Sequence, residues 1–218
     1  MTMRATEAPW GDYEVAKAEL IGGLRGTVLE LGAGRGANFS RLAADVEWIG
    51  LEPHASTRRA LVRTAGFGRL KSAKVLAAPA ENIPLPEASV DAVLSTVVLC
   101  SVTDLVAVLA EVRRVLRPGG QFVFFEHVAA PQGSWLYRLQ RVAAPVTRRF
   151  DKGCNPARDI ASAIQLAGFA SVDLHRYVRP GPLRIPFIAG TAVRAALRGR
   201  NLRCGPRPAS TPRRPDLT

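Results

Sequence analysis

The stretch that most constrains the fold is VLELGAGRGANF, residues 28–39, where a short apolar run leads into three glycines at alternate positions. Glycine adopts positive φ readily and leaves its backbone N–H groups uncovered, so a ligand can approach the main chain closely. A strand that ends in such a turn is typical of nucleotide-binding α/β folds. Several unrelated classes of ligand bind at turns of this kind, and the neighbouring residues distinguish between them.

Strand-like and helix-like patterns alternate along most of the chain. This alternation predicts an α/β, Rossmann-like fold with a seven-stranded, mostly parallel sheet, an antiparallel last strand and helices on both faces. The predicted strands are 27–31, 47–51, 73–77, 90–96, 121–128, 171–179 and 184–194, and the predicted helices are 37–44, 54–65, 102–116, 135–150 and 156–167. Pro180-Gly181-Pro182 predicts a hairpin between the last two strands, which would close the sheet edge.

The length of 218 residues fits one main domain. We expect a helical N-terminal segment at 1–25, the main α/β domain at 26–194 with a cap segment at about 130–155, and a basic tail at 195–218. The net charge of +12 raises the question of nucleic acid, but the segment 194–218 holds seven arginines and one acid in a Pro-rich context. Such a segment is typical of a disordered, solvated tail, so no nucleic-acid partner is expected. Contact of the tail with nucleic acid or anionic lipid is the alternative.

The three cysteines, Cys100, Cys154 and Cys204, are odd in number and form no CxxC pair. The sequence therefore predicts neither a disulfide framework nor a metal site. No apolar run approaches the length of a membrane span, so we expect no membrane anchor and a cytoplasmic location. The oligomeric state stays open.

The residues around the glycines favour a cationic ligand. A P-loop is excluded because no Gly-Lys-Ser/Thr follows, and the GxGxG spacing departs from the GxGxxG of dinucleotide-binding turns. Glu30, expected to point at the ligand beside the glycine backbone, would repel a pyrophosphate. Glu52 ends the next strand, 22 positions later, where a carboxylate accepts ribose hydroxyls. Together these features fit S-adenosylmethionine.

Four motifs, ELGAGRGANF, Glu52-Pro53, AENIPLPEASVDAVLST and EVRRVLRPGG, resemble the successive motifs of class I methyltransferases over about 26–194. Within that superfamily the chain is similar to the mammalian thiol S-methyltransferases. The more specific shared stretches are VLCSV at 98–102, EHVAA at 126–130 and the segment 150–155. The resemblance implies a class I methyltransferase fold and transfer of a methyl group from S-adenosyl-L-methionine to a small molecule.

The resemblance also implies which residues hold the cofactor: Glu30, Gly32, Ala33, Gly34, Gly36 and Asn38 at the methionine part, Glu52 and Pro53 at the ribose, Ala80 and Glu81 at the adenine, and Thr96 and Val97 under the methionine chain. Many superfamily members carry an acid one position before Ala80. Here that residue is Pro79, which offers neither a side-chain acceptor nor an N–H.

His127 is the leading candidate for a catalytic base, because it lies at the predicted carboxyl end of the fifth strand. A structural, hydrogen-bonded histidine is the alternative. Trp135, Tyr137 and Cys154, in the cap segment, are candidates for contact with substrate. The predicted acceptor is small and fairly apolar, and the resemblance to the thiol S-methyltransferases implies that it is a thiol. Alternatives are O- or N-methylation of an aromatic, quinone or lipid-like molecule, RNA methylation, and a cofactor-binding protein without catalysis.

Overall fold

The described residues form a single eight-stranded sheet and five helices. The computed structural model describes residues 2–65, 70–151 and 153–196. The strands are β1 (Thr2–Glu7), β2 (Thr27–Leu31), β3 (Glu47–Leu51), β4 (Ser72–Leu76), β5 (Val90–Thr96), β6 (Leu116–His127), β7 (Ser171–Val178) and β8 (Pro186–Val193). The helices are α1 (Trp10–Gly22), α2 (Ala55–Ala65), α3 (Leu105–Val115), α4 (Trp135–Phe150) and α5 (Ile160–Leu166).

The strand order places the glycine-rich turn at a reversal of the chain path. The order across the sheet is β1-β7-β8-β6-β5-β2-β3-β4. β8 runs antiparallel to both β6 and β7, and the other pairs are parallel. From β2 the chain first moves outward through β3 and β4 and then returns to β5 on the other side. Ligands of open α/β sheets bind at such a point, outside the carboxyl ends of the strands.

The predicted Rossmann-like class, with its mostly parallel sheet and antiparallel last strand, is confirmed. The structure adds an eighth strand, because residues 2–7, expected to be helical, pair in parallel with Ser171–Arg176 of β7. β7 is therefore an interior strand, and its hairpin with β8 does not close the sheet edge. TMRATE has no strong apolar alternation, so the backbone pairing that makes it a strand is not visible in its composition.

The segment 37–44 was predicted as a helix and forms a series of turns instead. Phe39 N–H donates to the carbonyl of Gly36, and Arg41 N–H donates to that of Asn38. Both hydrogen bonds join residues three positions apart, as in turns. The Asn38 side chain turns inward, and positive φ at Gly34 and Gly36 prevents a regular start to a helix. Residues 197–218 of the tail predicted at 195–218, which was expected to be disordered, lie outside the described residues.

Two hydrophobic clusters cover the two faces of the sheet. Alternation along β2 sends Leu29 and Leu31 to the face packed by α3 and α5, and Val28 to the face packed by α1 and α2. Glu30 shares the second face with Trp48 and is completely enclosed there. No helix in the described ranges has the length and apolar character needed to cross a bilayer.

Candidate active site

The glycine turn after β2 is shaped by three left-handed residues. Gly32, Gly34 and Gly36 have φ of +52°, +57° and +79°, a region that L side chains rarely adopt. A Cβ on Gly32 would meet the Val98 side chain at 2.7 Å, and one on Gly36 would meet the Phe39 ring. A Cβ on Gly34 would have no contact nearer than the Gly32 carbonyl oxygen at 3.7 Å. Gly34 therefore borders open space, whereas the other two are required by packing within the protein.

The open space beside Gly34 is a cleft of about 300 Å³ at the carboxyl ends of β2, β3 and β5. Its lining comes from the glycine turn, from the segments that follow β3, β4 and β5, and from the residues just before α3. The lining residues are Gly32, Gly34, Leu51, Glu52, Pro53, His54, Pro79, Ala80, Glu81, Val97, Val98, Ser101, Val102 and Thr103. Neither lysine nor arginine occurs among them, so the described lining supplies none of the cations that a phosphate site uses.

The carboxylate of Glu52, just beyond β3, crosses from the second strand to the glycine turn. It accepts hydrogen bonds from Gly34 N–H at 3.2 Å and His54 N–H at 2.9 Å, and only 5% of the residue surface is exposed. These two bonds fix the carboxylate on the cleft wall. His54 also lines the cleft.

Five of the predicted cofactor residues, Glu30, Ala33, Gly36, Asn38 and Thr96, lie outside this lining. Glu30 was expected to point into the ligand space, but its carboxylate is buried beneath the glycine turn. Asn38 Nδ2 donates to it at 2.7 Å, and Trp48 Nε1 at 2.8 Å. The same Asn38 Nδ2 donates to Thr96 Oγ1 at 2.9 Å, so the network ties the turn to the end of β5. The signal was available in part, because residue 30 alternates with the apolar residues of β2.

Asn38 has a polar atom whose hydrogen-bonding capacity is not used by the described residues. Its Oδ1 is buried and accepts no hydrogen bond from them, although its Nδ2 donates twice. An amide oxygen without a partner is costly in a folded core.

A second buried carboxylate, Glu126 on β6, was not selected from the sequence as a site residue. It accepts from Ser95 Oγ at 2.6 Å, and from the backbone N–H groups of Val98 and Leu99 at 3.0 and 3.2 Å. These bonds hold the segment after β5 in place, where Val97 has a φ of +55°. A left-handed conformation is strained for a β-branched residue and is found where function requires a particular backbone path.

Burial raises the pKa of both Glu30 and Glu126 from 4.5 to about 7, against the hydrogen bonds that favour their ionised forms. A carboxyl whose pKa is higher in the folded state stabilises the fold below the unfolded pKa, and this contribution is lost as the pH rises through the folded pKa. We therefore expect the contribution of each group to the free energy of unfolding to decrease between pH 4.5 and about 7.

Chemical denaturation of wild type and Glu30→Gln across this pH range measures the Glu30 contribution. The wild-type curve should fall more steeply, by at most about 3 kcal/mol over the window. His127, whose pKa is lowered by burial, contributes with the opposite sign in both proteins, so their difference isolates the carboxyl. Parallel curves for the two proteins would contradict the raised pKa of Glu30.

The predicted adenine end of the cleft combines backbone and side-chain groups. Ala80 is buried and lines the cleft beside Pro79. Glu81 Oε1 accepts from the N–H groups of Thr103 at 2.6 Å and Asp104 at 3.3 Å. Glu81 thus also fixes the entry to α3, a role that the sequence did not indicate.

The predicted catalytic and substrate residues lie beyond this cleft. His127, at the end of β6, is half-buried, and its Nε2 lies 3.4 Å from Cys154 Sγ. Cys154 is buried, and Asn155 N–H donates to the Cys100 carbonyl at 2.9 Å, which joins this segment to the one after β5. Burial lowers the pKa of His127 and raises that of both thiols.

The two aromatic cap residues, Trp135 and Tyr137, are not part of the cleft lining. Trp135 starts α4 and is 63% exposed. Tyr137 is half-buried and lines a separate depression together with Phe187 and Tyr177. The structure therefore brings Cys154 to His127, but brings neither Trp135 nor Tyr137 to the cleft.

Comparison with known proteins shows which protein families this chain resembles. A family model described as "Methyltransferase domain" matches residues 29–124, and one described as "Anamorsin, N-terminal" matches residues 79–180. Human thiol S-methyltransferase TMT1B is 36% identical over 195 residues, covering 83% of this chain and 79% of that protein. Human thiol S-methyltransferase TMT1A is 36% identical over 172 residues, covering 77% and 70%.

Solved structures support the fold. The YcgJ protein of Bacillus subtilis superposes with a TM-score of 0.66 at 15% identity, covering 84% of this chain and 99% of its own. The glycine turn and the acid after β3 agree with this assignment. So does the match to the human proteins, which covers most of their length. The chain belongs to the class I S-adenosylmethionine-dependent methyltransferases, in the family that includes the thiol S-methyltransferases.

Proposed function

We propose that this methyltransferase binds S-adenosyl-L-methionine in the cleft beside Gly34 and methylates a small, fairly apolar thiol on sulfur. The observation that carries the cofactor part is the open space at Gly34, bordered by the fixed carboxylate of Glu52. The thiol part is supported by 36% identity to two human thiol S-methyltransferases over most of the chain.

The residues of the cleft fit this cofactor in kind. Gly32 and Gly34 would face the methionine part, Glu52 the ribose hydroxyls, and Ala80 with Glu81 the adenine. The cofactor, when bound, supplies a methyl group on a sulfonium for in-line displacement. Val97 and Val98 would form the apolar wall below it, held by the bonds from Glu126 to the segment after β5. A rigid wall of this kind orients reacting groups, which is a large part of catalysis in such displacements.

The acceptor thiol has to lose a proton. A free thiol has a pKa of about 8.5, so a small part is thiolate at neutral pH without assistance. His127, kept neutral by burial, is able to accept the proton from a thiol placed at the end of β6. This role makes His127 the proposed catalytic base, with Cys154 beside its Nε2.

Replacing His127 by alanine should lower the turnover of a thiol acceptor by roughly tenfold to 100-fold near neutral pH. The loss should shrink as the pH rises toward the thiol pKa, because the acceptor then ionises without a base. Initial rates with labelled cofactor across pH measure both effects, and His175→Ala on β7 is the matched control. An unchanged rate and pH profile in His127→Ala would return His127 to a structural role.

The cofactor assignment is tested separately by calorimetry with S-adenosyl-L-methionine and with S-adenosyl-L-homocysteine. Binding of both at a single site per chain is the expected result. Failure to bind either ligand would contradict the proposed use of the cleft, whatever the acceptor.

A further inference from the structure

Three potential metal ligands meet at the ends of β5 and β6, although the sequence predicted no metal site. They are Cys100, His127 and Cys154, and their ligand atoms all lie within 4.8 Å of one another. The contact between Cys154 Sγ and His127 Nε2 is 3.4 Å. In a tetrahedral zinc site with bonds of about 2.0–2.3 Å, neighbouring ligand atoms are about 3.3–3.8 Å apart. A small contraction of the cluster would therefore reach coordination geometry.

The three segments are held together independently of any metal. Arg158 Nη1 donates to the carbonyls of Leu99 and Val102 at 2.9 and 2.6 Å, which binds the segment carrying Cys154 to the one carrying Cys100. His127 is fixed on a strand. Prearranged ligands reduce the entropic cost of metal binding.

We propose that Cys100, His127 and Cys154 bind one Zn²⁺ ion, with a fourth position left for water or another solute. Two thiolates and a neutral imidazole suit Zn²⁺ among common divalent ions and neutralise its charge in a buried setting. Binding breaks two S–H bonds and forms two Zn–S bonds and one Zn–N bond, and the two protons pass to solvent. The ion takes the Nε2 lone pair, so a zinc-loaded protein is unable to use His127 as a base.

Cobalt(II) titration of the full chain, after chelator treatment, tests the metal site without reference to turnover. Failure of the metal proposal is therefore distinguishable from failure of the proposed methyltransferase function. The expected result is thiolate-to-cobalt charge-transfer absorption at one ion per chain, displaced by Zn²⁺. Cys154→Ser and His127→Gln should each weaken binding by about tenfold or more. Cys204→Ser, a third cysteine outside the described residues, should leave it unchanged.

Cys100 is in the core, so Cys100→Ser is judged only if circular dichroism shows a folded protein. Native mass spectrometry of wild type supplies the alternative readout: one Zn²⁺ ion should stay bound per chain, and the same should hold for Cys204→Ser. Absence of the charge-transfer band, retention of binding in Cys154→Ser, or loss of binding in Cys204→Ser would overturn the site.

A different observation concerns the outer surface of α4. Five large apolar side chains on this helix are exposed: Trp135 by 63%, Leu139 by 42%, Val142 by 76%, Val146 by 59% and Phe150 by 82%. Their spacing of four, three, four and four residues puts them in one stripe along the helix. The stripe faces away from the protein, because Leu136, Gln140 and Ala144 form the buried face.

The charge on α4 is of one sign. Arg138, Arg141, Arg148 and Arg149 lie on the helix, and the sequence WLYRLQRVAAPVTRRF contains no acid. The buried face is tied to the domain by Gln140, whose Oε1 accepts from Ala130 N–H at 2.8 Å. The helix therefore has a fixed outward surface of an apolar stripe beside arginines.

From this pairing of an apolar stripe with arginines we infer that α4 lies in the surface of an anionic lipid bilayer. An amphipathic helix with aromatic and aliphatic side chains on one face and arginines beside it is the pattern of in-plane membrane binding. The arginines complement anionic headgroups, and no acidic side chain on the helix opposes them. This is a surface contact and involves no span. An apolar acceptor dissolved in that lipid would reach the enzyme by the same surface.

Sedimentation with vesicles tests the surface on the full chain. Wild type should bind vesicles containing phosphatidylglycerol, and bind less to phosphatidylcholine alone and at high salt. The double variant Val142→Asp, Val146→Asp should lower the partition coefficient by more than about tenfold, since it replaces two apolar side chains of the stripe by charged ones. Leu166→Asp, at an 85% exposed position on α5, is the matched control and should bind as wild type.

The basic tail is retained in all these proteins, so binding that persists in the double variant would assign the contact to another part of the chain and overturn the inference. Ultracentrifugation without lipid distinguishes a second copy as the occupant. A wild-type dimer that the double variant converts to monomer would likewise overturn it.

Discussion

Replacing Gly34 by valine is expected to abolish cofactor binding while the protein still folds. The Cβ at this position would contact no protein atom nearer than 3.7 Å, so the added side chain enters the cleft and not the core. A branched side chain in the ligand space should weaken binding of S-adenosyl-L-methionine by more than about 100-fold, or roughly 3 kcal/mol. Calorimetry measures the affinity, and thermal unfolding measures the strain of the positive φ.

Gly119→Val is the matched control for that strain. Gly119 has a φ of +81°, and no atom of the described residues lies within 4 Å of an added Cβ. Both variants should lose comparable stability, but only Gly34→Val should lose the cofactor. Equal affinity in the two variants would contradict the placement of the ligand beside Gly34. Gly36→Val is not informative here, since it would clash with Phe39 in the protein itself.

Replacing Glu52 by alanine should weaken cofactor binding by about 2 kcal/mol, or roughly 30-fold. The carboxylate is proposed to accept the ribose hydroxyls, and it also holds Gly34 N–H and His54 N–H on the cleft wall. Both losses act in the same direction. Glu52→Gln keeps one acceptor oxygen and should have an intermediate affinity.

Glu47→Ala is the control for removal of a carboxylate from the same strand. Glu47 begins β3 at the end away from the cleft and pairs with Lys71 at 2.6 Å. Calorimetry should show wild-type affinity in this variant. If Glu52→Ala bound the cofactor as well as Glu47→Ala does, the ribose assignment would be wrong.

The sheet could be predicted from sequence because its strands are short apolar runs separated by clear helix signals. β2, β3 and β5 have the predicted bounds, and each is a run of mostly buried residues. β1 could not be found in this way. Its sequence, TMRATE, has no strong alternation of polar and apolar residues. Only its parallel backbone pairing with β7 makes it a strand.

The candidate site was predictable where backbone geometry defines it. Glycines at alternate positions and an acid after the second strand are visible in sequence, and Gly34 and Glu52 do border the cleft. Glu30, expected beside the ligand, accepts a hydrogen bond from Trp48 of another strand, a contact that no local pattern indicates. Glu126 and the grouping of Cys100, His127 and Cys154 depend on segments distant in sequence, which no local pattern brings together.

The most direct test of the central claim is a rate comparison between a thiol and a phenol of matched size and hydrophobicity, with methyl-labelled S-adenosyl-L-methionine and the full chain. The account predicts transfer of label to sulfur, with the thiol preferred by about tenfold or more in kcat/KM, since its higher thiolate fraction and nucleophilicity favour it. A preference of tenfold for the phenol, or no transfer to either acceptor by a protein that binds the cofactor, would contradict methylation of a thiol.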